Sequence, residues 1–538
     1  MTVVLFIMNF KPYHPYPSRR SPILAKNVVA TSHPLAAQAG LSMLSLGGNA
    51  VDAALAAAIT LTVVEPTGNG LGSDAFCILW DGKSIHGLNA SGRAPMAWSP
   101  EYFKDYEKVP FHGWNSVTVP GAVSGWVSLS ERFGKLPFEK LFEPAIEYAE
   151  YGFPVSPIIA KLWKHGAKQL VQQPGFADNF LPNGLAPEAG ELYANPPLAR
   201  SLRLIAETRG RAFYEGELAE KIESFAKEHN AGMRLSDLAS HKPDWCGTIT
   251  QKFDDVVLHE IPPNGQGIAG LMALGILDHT EIRDLDVDDP KALHLQIEAM
   301  KLALSDTEAY VADIDHMDRI MPEAMMEPAY LQERAKLINL KQATDFKVGE
   351  PKSIGTVYLS VADASGMMVS FIQSNYAGFG SGVVVPETGI HLQNRGAGFS
   401  LNPHSQNVVA PGKRPFHTII PAFLTKNDQP LMSFGVMGGP MQAQGHLQMT
   451  LRTQLWDQDV QIAVDAPRWR VTGNLGIACE TSFPEATLQA LIEMGHDLTC
   501  EEPDNAFGFG GAQLVARLEN GAYVAGSDPR KDGQAVGF

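Results

Sequence analysis

Residues 50–64, AVDAALAAAITLTVV, restrict the fold more than any other segment, because the run is apolar nearly all round. A helix of this kind has no face to offer water, so it must be covered on every side, and it is too short to span a bilayer. The chain therefore needs several packed layers to enclose it. Its ends are marked. Asn49 is a capping residue, Gly47 and Gly48 stop the helix before it, and Pro66 with Gly68, Gly70 and Gly72 end it. The preceding helix is expected over residues 35–46, capped by Ser32 with Pro34 in its first turn.

AFCILW, the turn Asp81-Gly82 and KSIHGLNA read as a β-hairpin. Residues 138–345 are helix-rich, and one helix is announced by the cap Asp289 and by Pro290 ahead of LHLQIEAMKLALSD. From about residue 354 the texture becomes strand-like in TVYLSVA, MMVSFIQS, NVVA and PLMSFGVM. The polar stretch 340–355 reads as an exposed linker. This pattern indicates an α/β (α+β) chain of stacked sheet and helix layers, and 538 residues, 45% of them hydrophobic, supply ample core.

A net charge of -17 argues against nucleic acid or an anionic membrane as partner. Cys77, Cys246, Cys479 and Cys500 have no C-x-x-C spacing and are expected to be buried thiols rather than a disulfide or zinc framework. The N-terminal MTVVLFIMNF has a short apolar run and no basic flank. A poorly ordered leader over residues 1–27 and a cytoplasmic location are the matching expectations.

The hairpin TVYLSVAD-ASG-MMVSFIQS carries the chemistry. A three-residue loop ending in Gly366 pairs Asp363 with Met367 and so places Thr356 opposite Ser374, close enough for two hydroxyls to bond. The strand resembles the start of the small subunit of γ-glutamyltransferases, whose precursors cleave before a threonine in a T-x-x-x-S-V-x-D context, here Thr356, Ser360, Val361 and Asp363. ATSHPLAAQAGLSMLSLGGNAVDAALAAAITLTVVEP, GFGSGVVVPETGIHLQNRGAGFSL, SFGVMGGPMQAQGH and AGSDPRKDGQAVGF resemble further segments of that family, in its order, from about residue 28 to 538.

The resemblance implies the four-layer αββα sandwich of N-terminal-nucleophile hydrolases. It also implies a large part, 28–355, and a small part, 356–538, interwoven in one domain. Cleavage between Gly355 and Thr356 would free an α-amine with a pKa of about 7.7–8.0, a base for the threonine's own hydroxyl. Ser374 would orient that hydroxyl. Gly438 and Gly439 would offer backbone N–H groups to a tetrahedral oxyanion. No cofactor or metal is required, and the partner is a small amide substrate. A homo-oligomer is compatible with the sequence.

The acyl pocket departs from the family pattern. Where glutathione-cleaving members hold an α-carboxylate with an arginine and two serines, this chain has Ser91, His417 and Thr418, with Arg93 as a candidate substitute. Where they hold the amine with an aspartate, a glutamine and an asparagine, it has Gly398, Arg395 and Tyr376. An arginine in place of a carboxylate favours an anionic acyl group without an α-amine. That is the pattern of the γ-glutamyltransferase-like branch that includes oxamate amidohydrolase and cephalosporin-type acylases. Two alternatives stay open: a true γ-glutamyltransferase or glutathione hydrolase, and an uncleaved binding protein of the same fold. The clusters GNGLG and GFGSG lack dinucleotide-binding spacing, and His294 with Glu298, four apart on a helix, make only an isolated pair.

Overall fold

The computed structural model describes residues 20–347, 355–503 and 508–538. The helix Ala50–Val64 is buried along its whole length. Asn49 closes a capping box on it: Oδ1 accepts from Val51 N (3.0 Å) and Asp52 N (3.1 Å), and Asp52 Oδ2 accepts from Asn49 N (2.9 Å). The helix Pro34–Ser45 packs beside it but is capped by His33, whose Nδ1 accepts from Leu35 N at 3.2 Å, and not by Ser32. Ser32 donates instead to Glu65 Oε2 at 2.6 Å, because the carboxyl buried at the C-terminal end of Ala50–Val64 needs a donor more than the cap does.

Among the described residues two seven-stranded antiparallel sheets dominate. The first runs, in spatial order, Gln534–Gly537, Val28–Thr31, Val357–Ala362, Met368–Ser374, Asp74–Trp80, Ile85–Ala90 and Asp244–Trp245. The second runs Ile23–Ala25, Tyr523–Ser527, Ala512–Arg517, Gln429–Val436, Ala422–Lys426, Val256–Glu260 and Ile249–Phe253. Strands from before and after residue 356 are neighbours in both sheets.

Side-chain alternation along a strand sorts residues into layers. Val357, Leu359 and Val361 pack under the helices Pro34–Ser45 and Ala50–Val64. Tyr358 and Ala362 point the other way, between the sheets, and meet Phe76, Ile78, Phe423 and Val515. The second sheet's outer face is covered by Gly267–Leu277 and Met441–Gln454, and Pro290–Tyr310 packs against Gly267–Leu277. Helix, sheet, sheet, helix: these are the four αββα layers.

Several expectations are corrected. Within the expected leader, residues 20–27 are held by the fold: Ile23–Ala25 pairs with the strand Tyr523–Ser527, and Arg20 donates to the carbonyls of Asp528 (2.9 Å) and Gly533 (2.7 Å). Residues 1–19 lie outside the described residues, as does 348–354 within the expected linker. NVVA forms no strand; only Val408 bridges to Ser400. The helix-rich stretch contains the hairpin Ile249–Phe253 and Val256–Glu260, which turns through Asp254 in a left-handed conformation (φ 51°). Cys77 and Cys479 are buried, but Cys246 is half-buried and Cys500 exposed, all as free thiols. Among the described residues no helix is long and apolar enough to cross a membrane.

Candidate active site

The register of the central hairpin is the one its loop dictates, with Val357 opposite Gln373 and Ala362 opposite Met368, and Gly366 at φ 95°. Thr356 sits just ahead of the first pair and is buried. Its Oγ1 lies 3.3 Å from Ser374 Oγ and 2.7 Å from the carbonyl oxygen of Gly355. Ser374 Oγ accepts from Tyr376 N at 2.8 Å and donates to that same Gly355 oxygen at 2.9 Å. Two hydroxyls therefore converge on one peptide carbonyl. The glycine cluster expected to be no nucleotide loop lies against the following peptide, Thr356–Val357: a β-carbon on Gly68 would stand 3.4 Å from the Thr356 carbonyl group, and Gly68 O accepts from Asn375 N at 3.1 Å.

Gly438 (φ 114°) and Gly439 (φ 60°) occupy the turn between the strand Gln429–Val436 and the helix Met441–Gln454, in backbone regions that L side chains avoid. Their carbonyls accept from Met441 N (3.2 Å) and Gln442 N (3.0 Å), and Gln266 Nε2 also donates to Gly439 O at 2.9 Å. Gln442 Nε2 reaches Thr356 Oγ1 at 3.4 Å, which sets this turn beside the threonine.

Next to Ser374 in register is Asp74, at the start of the strand Asp74–Trp80. Its Oδ1 accepts from Gly92 N and Gly121 N, each at 3.0 Å, and its Oδ2 lies 3.1 Å from His417 Nε2. Burial pushes the Asp74 carboxyl up to about 7 against the pull of Arg395. Burial, reinforced by Arg395 and Arg414, holds His417 well below the usual imidazole range, so its ring is neutral.

Arg395 completes the cluster. It is fully buried, stacks 4.7 Å over the Tyr376 ring, and donates from Nη1 to Thr418 Oγ1 at 2.9 Å. Tyr376 reaches it through a left-handed backbone (φ 77°) two residues past Ser374. Arg395 Nε and Nη2 are buried with no protein partner. These two groups form the side-on edge of the guanidinium, the edge that takes a carboxylate with two parallel bonds. Burial lowers the Arg395 pKa to about 10 despite Asp74, which leaves it charged at neutral pH.

Of the residues expected in the pocket, Tyr376, Arg395, His417 and Thr418 are brought together. Ser91 is buried nearby but its hydroxyl is spent on Asn89 Oδ1 at 2.7 Å. Arg93 is turned away as a substitute: it is one-third exposed and binds Asp313 (3.3 Å) and Asp244 (3.6 Å). Gly398 lies in the turn Arg395–Gly398. Sequence reasoning missed Asp74, Gln442 and Gln266. Asp74 follows a glycine cluster and Gln442 follows the glycine pair, but only strand pairing brings Asp74 beside Ser374 and only loop packing brings Gln442 to Thr356.

The pair His294 and Glu298 is joined by His496, all buried. His294 Nε2 donates to Asn339 O (2.8 Å), His496 Nε2 to His294 Nδ1 (2.8 Å), and Lys301 Nζ to Glu298 Oε1 (2.9 Å). Each ligand atom of this group has a protein partner, and the network ties residues 339–344 to the helix Pro290–Tyr310.

With this geometry in hand, comparison with known proteins is decisive. The family model described as gamma-glutamyltranspeptidase matches residues 36–538. The chain belongs to the γ-glutamyltranspeptidase family. It is 35% identical to the glutathione hydrolase-like YwrD proenzyme of Bacillus subtilis, over 96% of this chain and 100% of that one. It is likewise 35% identical to the oxamate amidohydrolase proenzyme of Klebsiella pneumoniae, over 96% and 99%. The crystal structure of a cephalosporin acylase from Bacillus halodurans superposes with a TM-score of 0.93 at 46% identity, covering 99% of each chain. As a γ-glutamyltranspeptidase-family member with an N-terminal-nucleophile hydrolase fold, it is an enzyme of amide hydrolysis or acyl transfer.

Proposed function

We propose that the chain cuts itself between Gly355 and Thr356, and that the freed threonine then hydrolyses amides whose acyl part carries a carboxylate and no α-amine. The convergence of Thr356 and Ser374 on the Gly355 carbonyl supports the first step. Thr356 Oγ1 attacks the Gly355 carbonyl carbon while the Ser374 hydroxyl, 2.9 Å from the oxygen, draws charge toward it. The O–C bond forms, the C–N bond breaks, and the hydroxyl proton ends on the Thr356 nitrogen. Water then splits the ester, leaving a Gly355 carboxylate, a free Thr356 hydroxyl and a free amine.

In turnover that amine takes the hydroxyl proton as Oγ1 attacks the substrate carbonyl. Gly438 and Gly439 N–H groups receive the oxyanion, the leaving amine departs with a proton, and water releases the acyl group from Thr356.

The observation that carries the substrate class is the unpaired side-on edge of buried Arg395. An ammonium there would face a cation. A carboxylate would fill both donors. The experiment compares hydrolysis of glutaryl and γ-glutamyl anilides, which differ only in the α-amine. A higher kcat/KM for the glutaryl compound is expected. Preference for the γ-glutamyl compound would favour the glutathione hydrolase reading instead.

A further inference from the structure

Gln442 lies in the first turn of the helix Met441–Gln454 and is fully buried. Its Oε1 accepts from Ile420 N at 2.9 Å. That contact fixes the amide: a flipped side chain would set its NH2 group against a backbone N–H, so Nε2 has to face the other way. The other way is Thr356 Oγ1, at 3.4 Å. Gln442 N is bonded to Gly439 O at 3.0 Å, which holds the residue to the turn expected to receive the oxyanion.

A threonine hydroxyl has one proton and two lone pairs. With one lone pair accepting from Gln442, the proton is left to point at Gly355 O in the uncut chain and at the α-amine after cleavage. We propose that Gln442 is a catalytic residue of this site, its side-chain N–H holding the Thr356 oxygen so that its proton and its second lone pair are aimed for attack on the carbonyl. The proposal rests on Thr356 being the nucleophile. Gln442 makes no bond in the reaction; the hydroxyl proton still goes to the threonine nitrogen.

The test is self-cleavage of the full chain, followed by intact mass, in Gln442→Glu, Gln442→Met and Thr356→Ala variants. Glutamate keeps an acceptor for Ile420 N but, once ionised, has no donor for Thr356. At about pH 8, well above the ordinary carboxyl range, Gln442→Glu should cleave about tenfold more slowly than the parent, the worth of one ordinary hydrogen bond. The deficit should shrink as pH falls and the carboxyl regains an O–H. Gln442→Met, which has no donor at any pH, should stay slow throughout. Parental cleavage rates in either folded variant at that pH would overturn the role of Gln442. Cleavage of Thr356→Ala would overturn the nucleophile reading beneath it.

Discussion

Arg395→Met replaces the buried guanidinium with an apolar side chain of similar length, and it should move activity and stability in opposite directions. The side-on edge, Nε and Nη2, is unpaired, so under the proposed substrate class a carboxylate would gain two charge-assisted bonds there. Each such bond is worth roughly 1.5–3 kcal/mol. Taking about 3–4 kcal/mol for the pair after desolvating the carboxylate, kcat/KM for an anionic acyl amide should fall by about 10²–10³-fold. The unliganded fold should gain. Burial lowers the Arg395 pKa to about 10 from 12.5, so the folded state disfavours the charged form at every pH below that, at a cost of about 3 kcal/mol. Removing the charge should therefore raise the unfolding free energy by ~1–3 kcal/mol, allowing for the lost Thr418 bond and for Asp74, which takes up a proton once its cation is gone. The assay is steady-state hydrolysis of a glutaryl anilide beside thermal unfolding of the same matured preparation. An Arg395→Met enzyme with parental kcat/KM, or one that melts well below the parent, would refute the reasoning.

Two further outcomes follow from the same geometry. Ser374→Ala removes one of two donors on the Gly355 carbonyl and should slow maturation about 10²–10³-fold, with Ser374→Thr restoring it; parental maturation of the alanine variant, timed by fragment appearance, would count against carbonyl polarisation. Glu65 has its pKa raised by burial from 4.5 to about 7, so the unfolded chain loses this proton first and stability declines as pH rises through that window. The unfolding free energy of Glu65→Gln relative to the parent should therefore improve from pH 4.5 to 7, and a flat difference measured by denaturant titration would contradict the assignment.

The central hairpin was legible because a three-residue loop with glycine in a left-handed position leaves one register, and that register alone sets Thr356 beside Ser374. The helix Ala50–Val64 was legible because its composition has no alternative to burial. Short-range signals did less well where a tertiary partner competed: Ser32 left the cap to His33 because Glu65 needed its hydroxyl. The turn at Asp254 hid a hairpin, since aspartate there adopts a backbone shape that glycine usually advertises. The substrate pocket was half legible. Arg395 and Thr418 are close in sequence and in space, whereas Asp74 reaches Ser374 only through strand pairing across 300 residues of chain. Arg93 was misleading because nothing nearby in sequence announces Asp244 or Asp313, which claim its charge.

Self-processing at Thr356 is tested most directly by intact-mass spectrometry and N-terminal sequencing of the purified protein beside Thr356→Ala. The expected result is two fragments, the smaller beginning at Thr356, and a single full-length species for the variant. A parent chain that stays at 538 residues through long incubation would contradict the proposed maturation and favour an uncleaved binding protein of the same fold.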